Sequence, residues 1–289
     1  MMSFTGIWVP LVTPFHNGAI DRAALRSLVR VMAGAGVSGL VACGSTGEAA
    51  ALSGEEQLEV LDIVLDASAG LPVVMGISGN NMEAVRGTLQ HLRGRPIAAL
   101  LVPAPYYIRP AQAGLIEYFH VLADAAPAPL IVYNIPYRTG VGIELETMRA
   151  IARHERVVAV KDCGGDLGLT MNLIADASLQ VLAGEDQQML STLCLGGSGA
   201  IAASAHIRPD LFVRIAQTVR EGKLETAREM FYRLLPLIQL LFAEPNPGPL
   251  KAALATMGLM RDELRMPMQA ASAALREKLG VELKRLERL

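Results

Sequence analysis

The chain has 289 residues, 52% of them hydrophobic and 19% charged, with a formal net charge of −2. That composition supplies a large core, excludes a disordered chain and leaves no basic face for nucleic acid. At this length the first expectation is one large α/β domain with an appendage.

The three cysteines, Cys43, Cys163 and Cys194, form an odd set without CxxC spacing, which suits a reduced, cytoplasmic protein better than a disulfide framework. No basic stretch followed by an apolar one stands at the start, so no signal peptide is expected. The most apolar segment, residues 234–242, is too short to cross a bilayer and carries Pro236 and Gln239, so no membrane partner is expected.

Strand-like apolar runs recur at residues 7–12, 39–43, 72–77, 98–102, 129–133, 157–160, 179–183 and 199–203. Helical segments lie between them. Residues 21–35 open on Asp21 and space Leu25, Leu28, Val29 and Met32 along one helix face, and residues 53–69 open with Ser-Gly-Glu-Glu, a capping-box pattern. Residues 81–92, 111–125, 144–153, 167–176 and 209–220 continue the theme, with a weaker segment at 186–195.

Eight strands alternating with eight helices can close as a (β/α)8 TIM barrel or stay open as a doubly wound sheet. The count favours the barrel. So does the gathering of polar and glycine-rich residues just after strands, because those ends converge on one mouth in a barrel. Gly34-Ala35-Gly36-Val37-Ser38-Gly39 satisfies GxGxxG, but it follows a helix and precedes a strand, the reverse of a dinucleotide fingerprint. After Gly222 the alternation stops. Residues 224–242 read as a helix that Pro236 should bend, followed by a proline-dense loop at 244–249 and helices near 250–257 and 268–279. The expected organisation is a catalytic barrel over 1–222 and a C-terminal helical region over 223–289.

Chemistry concentrates in a few places. Val157-Val158-Ala159-Val160-Lys161-Asp162 reads as a buried strand ending on a lysine. Lys161 is either a surface residue closing a strand or an amine whose desolvation makes it a nucleophile. Gly44-Ser45-Thr46-Gly47-Glu48 is a turn whose amides and hydroxyls could hold an anion, or simply a βα connection. Tyr133 ends another strand and could act as acid or base. Arg138, in the loop after it, carries a fork suited to a carboxylate. Tyr106 and Tyr107 stand in a proline-flanked loop. The five histidines show no metal-ligand spacing, so no metal is expected.

Taken together these motifs resemble one family, the pyruvate-dependent class I aldolases that include dihydrodipicolinate synthase and N-acetylneuraminate lyase. The resemblance spans nearly the whole chain: Leu11-Val12-Thr13-Pro14-Phe15, the Gly44 to Glu48 turn, Pro105-Tyr106-Tyr107, residues 133–140, the strand ending in Lys161, and residues 244–251. It implies that Lys161 forms a Schiff base with pyruvate, with no other cofactor, and that Tyr133 is the acid/base. It further implies that Thr46 links Tyr133 to Tyr107 of a neighbouring subunit as a proton relay. Ser45 and Thr46 would hold the pyruvate carboxylate, and Ile201 would line the pocket. Arg138 matches the synthase branch, where such an arginine holds the carboxylate of aspartate semialdehyde. The implied assembly is a homotetramer built as a dimer of dimers. Alternatives within the fold are another pyruvate-dependent aldolase or hydratase acting on a different aldehyde; outside enzymes, a barrel retained for binding alone.

This chain departs from the family pattern at Asp162-Cys163, where Glu-Ala is usual, and at Ile108, where Asn is usual. Where lysine-inhibited synthases carry histidines and an acid, Ser53, Glu56 and Ala84 stand here. Weak or absent inhibition by lysine is therefore expected. An inhibition constant below about 1 mM, roughly 4 kcal/mol of binding, would contradict it.

Overall fold

The computed structural model describes residues 3–288, so Met1, Met2 and Leu289, at the ends of the two expected segments, lie outside it. Eight parallel strands form a closed barrel: β1 (Gly6–Pro10), β2 (Gly39–Ala42), β3 (Val73–Gly76), β4 (Ala99–Pro103), β5 (Leu130–Asn134), β6 (Val157–Asp162), β7 (Gln180–Ala183) and β8 (Gly199–Ile201). The choice between barrel and open sheet is decided where the ends meet. There β1 pairs with β8, Gly6 opposite Gly199 and Trp8 opposite Ile201.

Each strand is followed by a helix: α1 (Arg22–Gly34), α2 (Gly54–Ala67), α3 (Met82–His91), α4 (Gln112–Ala125), α5 (Leu145–Ala152), α6 (Leu167–Asp176), α7 (Met189–Cys194) and α8 (Pro209–Arg220). The caps expected from sequence are present. Asp21 accepts from the Ala24 amide, and Ser53 and Glu56 close a reciprocal capping box on α2. Alternation along the strands separates two cores. Trp8, Val41, Leu101, Ile131, Leu182 and Ile201 fill the barrel interior, while residues such as Leu40, Leu100, Val132 and Val160 pack outward with the helices.

The helical region consists of α9 (Leu224–Leu241), α10 (Gly248–Thr256) and α11 (Ala273–Leu286). It shares the barrel's outer core through Leu234, Ile238, Leu254 and Leu275. Helix α9 continues across Pro236. Two expected helices have different bounds. The segment expected at 268–279 begins only at Ala273, because Ser272 is the cap that accepts from the Leu275 amide, and it then runs on to Leu286. The segment expected at 186–195 opens as a 3-10 turn over Asp186–Gln188, with the Asp186 carboxylate drawn away to the amides of Ala203 and Ser204. Among the described residues no helix is long and apolar enough to cross a membrane.

Closure leaves no room at the β1–β8 seam, where a Cβ on Gly199 would land on the backbone of Gly6. Gly199→Ala should destabilise the protein by about 1–3 kcal/mol, since backbone cannot rotate away. Gly87→Ala, inside α3 where a Cβ meets nothing within 4 Å, should be neutral or stabilising by about 0.5–1 kcal/mol. Urea unfolding of both variants checks the contrast.

Candidate active site

Strands β5 and β6 pair in a register that sets Tyr133 opposite Lys161 and Asn134 opposite Asp162. Successive side chains point to opposite faces, so Tyr133 and Lys161 enter the barrel while Asn134 and Asp162 face the helices. Lys161 is 5% exposed and Tyr133 is 6% exposed. The Lys161 Nζ donates to the Tyr133 phenol oxygen at 3.2 Å and lies 4.2 Å from the ring centroid. Burial holds the Tyr133 phenol well above its usual range and neighbouring Cys163 adds to this; the Ser45 hydroxyl and Arg138 pull it back. Gly184 makes space for the lysine, since a Cβ there would strike the Cys163 sulfur and lie 2.9 Å from Lys161 Cγ.

A deep pocket of about 20 Å³ gathers Lys161, Tyr133, Ser45, Thr46, Arg138 and Ile201. A second cavity of about 280 Å³ shares Ser45, Tyr133 and Arg138 with it and adds Tyr106. Six of the seven residues singled out from sequence thus meet in one place. The seventh does not: Tyr107 is 89% exposed and lines neither cavity. Its loop is nonetheless held, with the Tyr107 amide donating to the Thr139 carbonyl at 3.2 Å and Asn80 donating to the Tyr106 carbonyl at 2.9 Å.

Both hydroxyls of the turn line the Lys161 pocket. Thr46, expected to link to Tyr133, lines that pocket with it, and its hydroxyl accepts from Asn246 Nδ2 at 3.1 Å. The Ser45 hydroxyl acts on the Tyr133 phenol by holding its pKa down against the effect of burial. The departure at Asp162 lies off the site: its carboxylate accepts from Asn134 at 2.9 Å, from Thr170 at 2.7 Å and from the Gly164 amide at 2.9 Å. Cys163, by contrast, points inward with Tyr133 and Ile201.

Sequence reasoning did not single out three supports of the site. Asn246, from the proline-dense loop, reaches Thr46. Lys251 of α10 is fully buried and pairs with Glu48, whose other oxygen accepts the Arg265 amide at 3.0 Å. Burial lowers the Lys251 pKa, with Glu48 opposing. Asp186 beside Lys161 accepts the amides of Ala203 at 3.2 Å and Ser204 at 2.6 Å. Only Asn246 and Lys251 had a signal, in the motif at 244–251. Among the described residues no group of His, Cys, Asp or Glu is gathered as for a metal ion.

The turn after β8 is held by two buried titratable groups with opposite linkages. His206 donates from Nδ1 to the Ala203 carbonyl at 2.7 Å and accepts the Val12 amide at Nε2, 3.3 Å away. Only a neutral ring can do both, and burial lowers its pKa from 6.5 to about 4. Below pH 6.5 the unfolded chain takes a proton that the fold refuses, so stability falls as pH drops toward 4, by roughly 3 kcal/mol. Burial raises Asp186 from 3.8 to about 6, a shift its amide donors only moderate. Its protonated form is stabilising below the unfolded value, and that contribution is lost as pH rises through 6, by a similar amount of roughly 3 kcal/mol. The two slopes offset each other in the wild type. Asp186→Asn should therefore gain on the order of 1–3 kcal/mol at pH 7 and lose that advantage by pH 4, as measured by urea unfolding at both pH values. A variant less stable than wild type at pH 7 would show that the amide bonds outweigh the desolvation.

Comparison with known proteins bears on these features as a set. The chain matches the Dihydrodipicolinate synthetase family over residues 3–286. It is 40% identical over 280 residues to a 4-hydroxy-tetrahydrodipicolinate synthase of Syntrophus aciditrophicus (strain SB), covering 96% of each chain. A dihydrodipicolinate synthase from Thermotoga maritima superposes with a TM-score of 0.96 at 32% identity, covering 100% of both chains. A chloride-inhibited dihydrodipicolinate synthase from Acinetobacter baumannii, complexed with pyruvate, superposes with a TM-score of 0.95 at 30% identity over 99% of this chain and 100% of that one. With its closed barrel and the buried lysine–tyrosine pair inside, the chain belongs to the dihydrodipicolinate synthetase family.

Proposed function

We propose that the chain condenses pyruvate with L-aspartate 4-semialdehyde to give 4-hydroxy-tetrahydrodipicolinate, the committed step toward diaminopimelate and lysine. The observation that carries this reading is the Lys161 amine held against the Tyr133 phenol inside the barrel of a member of this family. A relative of the same fold bound to pyruvate supports the choice of ketone.

Lys161 adds to the keto carbon of pyruvate, and loss of water leaves an iminium. The iminium draws electrons from the adjacent C–H bond, so a methyl proton departs and an enamine remains. Tyr133 takes and returns protons in these steps. Its raised pKa keeps it protonated at rest, and contact with Ser45 connects it to the turn. The amides and hydroxyls of Ser45 and Thr46 hold the pyruvate carboxylate. Arg138 holds the carboxylate of the aldehyde, whose carbonyl carbon is attacked by the enamine and whose oxygen takes a proton. The amino group of the joined chain then adds to the iminium carbon, closes a six-membered ring and expels Lys161. One water is lost overall, in forming the iminium.

No cofactor beyond the Lys161 imine enters this scheme. Tyr107 serves the site of a neighbouring subunit, completing a relay from Tyr133 through Thr46 to solvent. The assembly is a homotetramer of two such dimers, working in the cytoplasm. Exposure of Tyr107 on a held loop supports a role outside its own barrel. Weak lysine inhibition fits the engagement of Glu56, which caps α2 and pairs with Arg265.

Borohydride reduction in the presence of pyruvate should add the reduced pyruvyl group to Lys161, read by peptide mass. Lys161→Ala should give none; a wild type without the adduct would end the Schiff-base reading. Tyr133→Phe should lower kcat by about 100-fold or more while trapping pyruvate. Mixing Lys161→Ala with Tyr107→Phe subunits should restore activity that each lacks alone. No restoration would place Tyr107 outside a shared site.

A further inference from the structure

The Lys161 pocket is lined by two opposite charges that have no partner among the described residues. Three acidic side chains stand near the ends of β6 and β7. Asp162 is taken by Asn134 and Thr170 on the helix side, and Asp186 by the amides of Ala203 and Ser204. Glu185 remains. It follows Gly184 at the end of β7 and lines the same pocket as Lys161, Tyr137 and Arg138; among the described residues its carboxylate has no hydrogen-bond or ion-pair partner. Arg138 lines the same pocket in the same state: among the described residues its guanidinium makes a contact over the Tyr137 ring at 5.8 Å and no hydrogen bond or ion pair.

Both charges act on the Tyr137 phenol. The Tyr137 phenol is raised first by burial, then by Cys163 and Glu185, and is lowered by Arg138. Yet Arg138 and Glu185 do not pair with each other. A guanidinium and a carboxylate that share a pocket mouth without touching suit a ligand carrying both signs on adjacent atoms. An α-amino acid head group is such a ligand, its carboxylate fitting the arginine fork and its ammonium needing an anion.

We infer that Glu185 is a specificity-determining residue, which binds the α-ammonium group of the aldehyde substrate while Arg138 binds its carboxylate. The inference rests on the reading that this site joins pyruvate to an amino-acid aldehyde, and it adds how the amino group is recognised. Lys161 and Tyr133 handle the ketone at the bottom of the pocket. The charged pair at the mouth selects aldehydes that are zwitterionic at the far end and orients them with the carbonyl toward the enamine. A site built to bind an N–H group disfavours an analogue lacking it, because the site's own polar group is then left without a partner.

The test compares two aldehydes that differ only in the amino group. L-aspartate 4-semialdehyde is the substrate, and succinate semialdehyde, with the carboxylate but no ammonium, is used as a competitive inhibitor. In Glu185→Gln, kcat/KM for aspartate semialdehyde should fall about tenfold or more, mainly through KM, while the inhibition constant of succinate semialdehyde shifts by less than about twofold. Glu185→Asp should recover part of the loss, and Arg138→Ala should weaken both aldehydes. Equal weakening of the two aldehydes in Glu185→Gln, or a kcat/KM within about twofold of wild type, overturns the inference. Borohydride trapping with pyruvate alone separates the layers. An adduct in wild type but not in Glu185→Gln would place Glu185 in the pyruvate step and overturn it too. Absence of the adduct from wild type defeats the Schiff-base reading beneath it.

Discussion

An amine and a phenol directly opposite one another on adjacent parallel strands form the contact on which this molecule's chemistry depends. The register of β5 against β6 makes Tyr133 and Lys161 neighbours before any side-chain rotamer is chosen. Barrel closure then determines their surroundings. In an open sheet both would face a helix layer; in the closed barrel they face Ile201 and Leu182 on the inner wall. Pairing of β1 with β8 through the Gly6–Gly199 contact is thus a condition of the site as well as of the fold.

The two faces of β6 carry separate tasks. On the inside, Lys161 and Cys163 stand with Tyr133; on the outside, Asp162 ties β6 to Asn134 of β5 and Thr170 of α6. Three donors satisfy the buried Asp162 carboxylate, which anchors the strand end against the helix layer. This separates the two departures from the family's usual Lys-Glu-Ala. A shorter acid at 162 changes an anchor, whereas a thiol at 163 changes what the Tyr133 phenol touches. Of the pair, only Cys163 bears on the reaction centre.

Strand and helix periodicity made the barrel legible, because eight apolar runs alternated with capped helices, and the capping signals at Asp21 and Ser53 were realised as read. The position of Lys161 at a strand end was legible too, but its burial was not: alternation tells which residues share a face, and only closure tells which face becomes interior. The tie of Thr46 to the C-terminal region was out of reach for a different reason. Thr46 lies on a short 3-10 turn, and its hydroxyl is bound by Asn246, two hundred positions away in the chain. The late start of α11 was hidden by apolar residues before Ser272 that continue a helical pattern without belonging to it. Asp186 and His206 carried no clear signal, since the amides that reach the Asp186 carboxylate and His206 Nε2 are brought near only by the barrel.

The C-terminal helices belong to the catalytic architecture for the same reason. Asn246 precedes α10 and Lys251 lies within it, and both act on the turn at residues 44–48, one through Thr46 and the other through Glu48. Glu48 sits in the left-handed region at φ 53°, a conformation that a non-glycine residue keeps only when its surroundings hold it. Those surroundings are Lys251, itself braced by the Glu263 carbonyl at 2.9 Å and the Phe15 ring, and the Arg265 amide. A buried ion pair of this kind adds little net stability compared with apolar packing, yet removing one partner strands the other charge. Its effect here is therefore better understood as positional. By holding Glu48, the pair fixes the end of the turn whose other residues, Ser45 and Thr46, reach the Lys161 pocket. A helical region that looked appended to the barrel is what gives one wall of that pocket its shape.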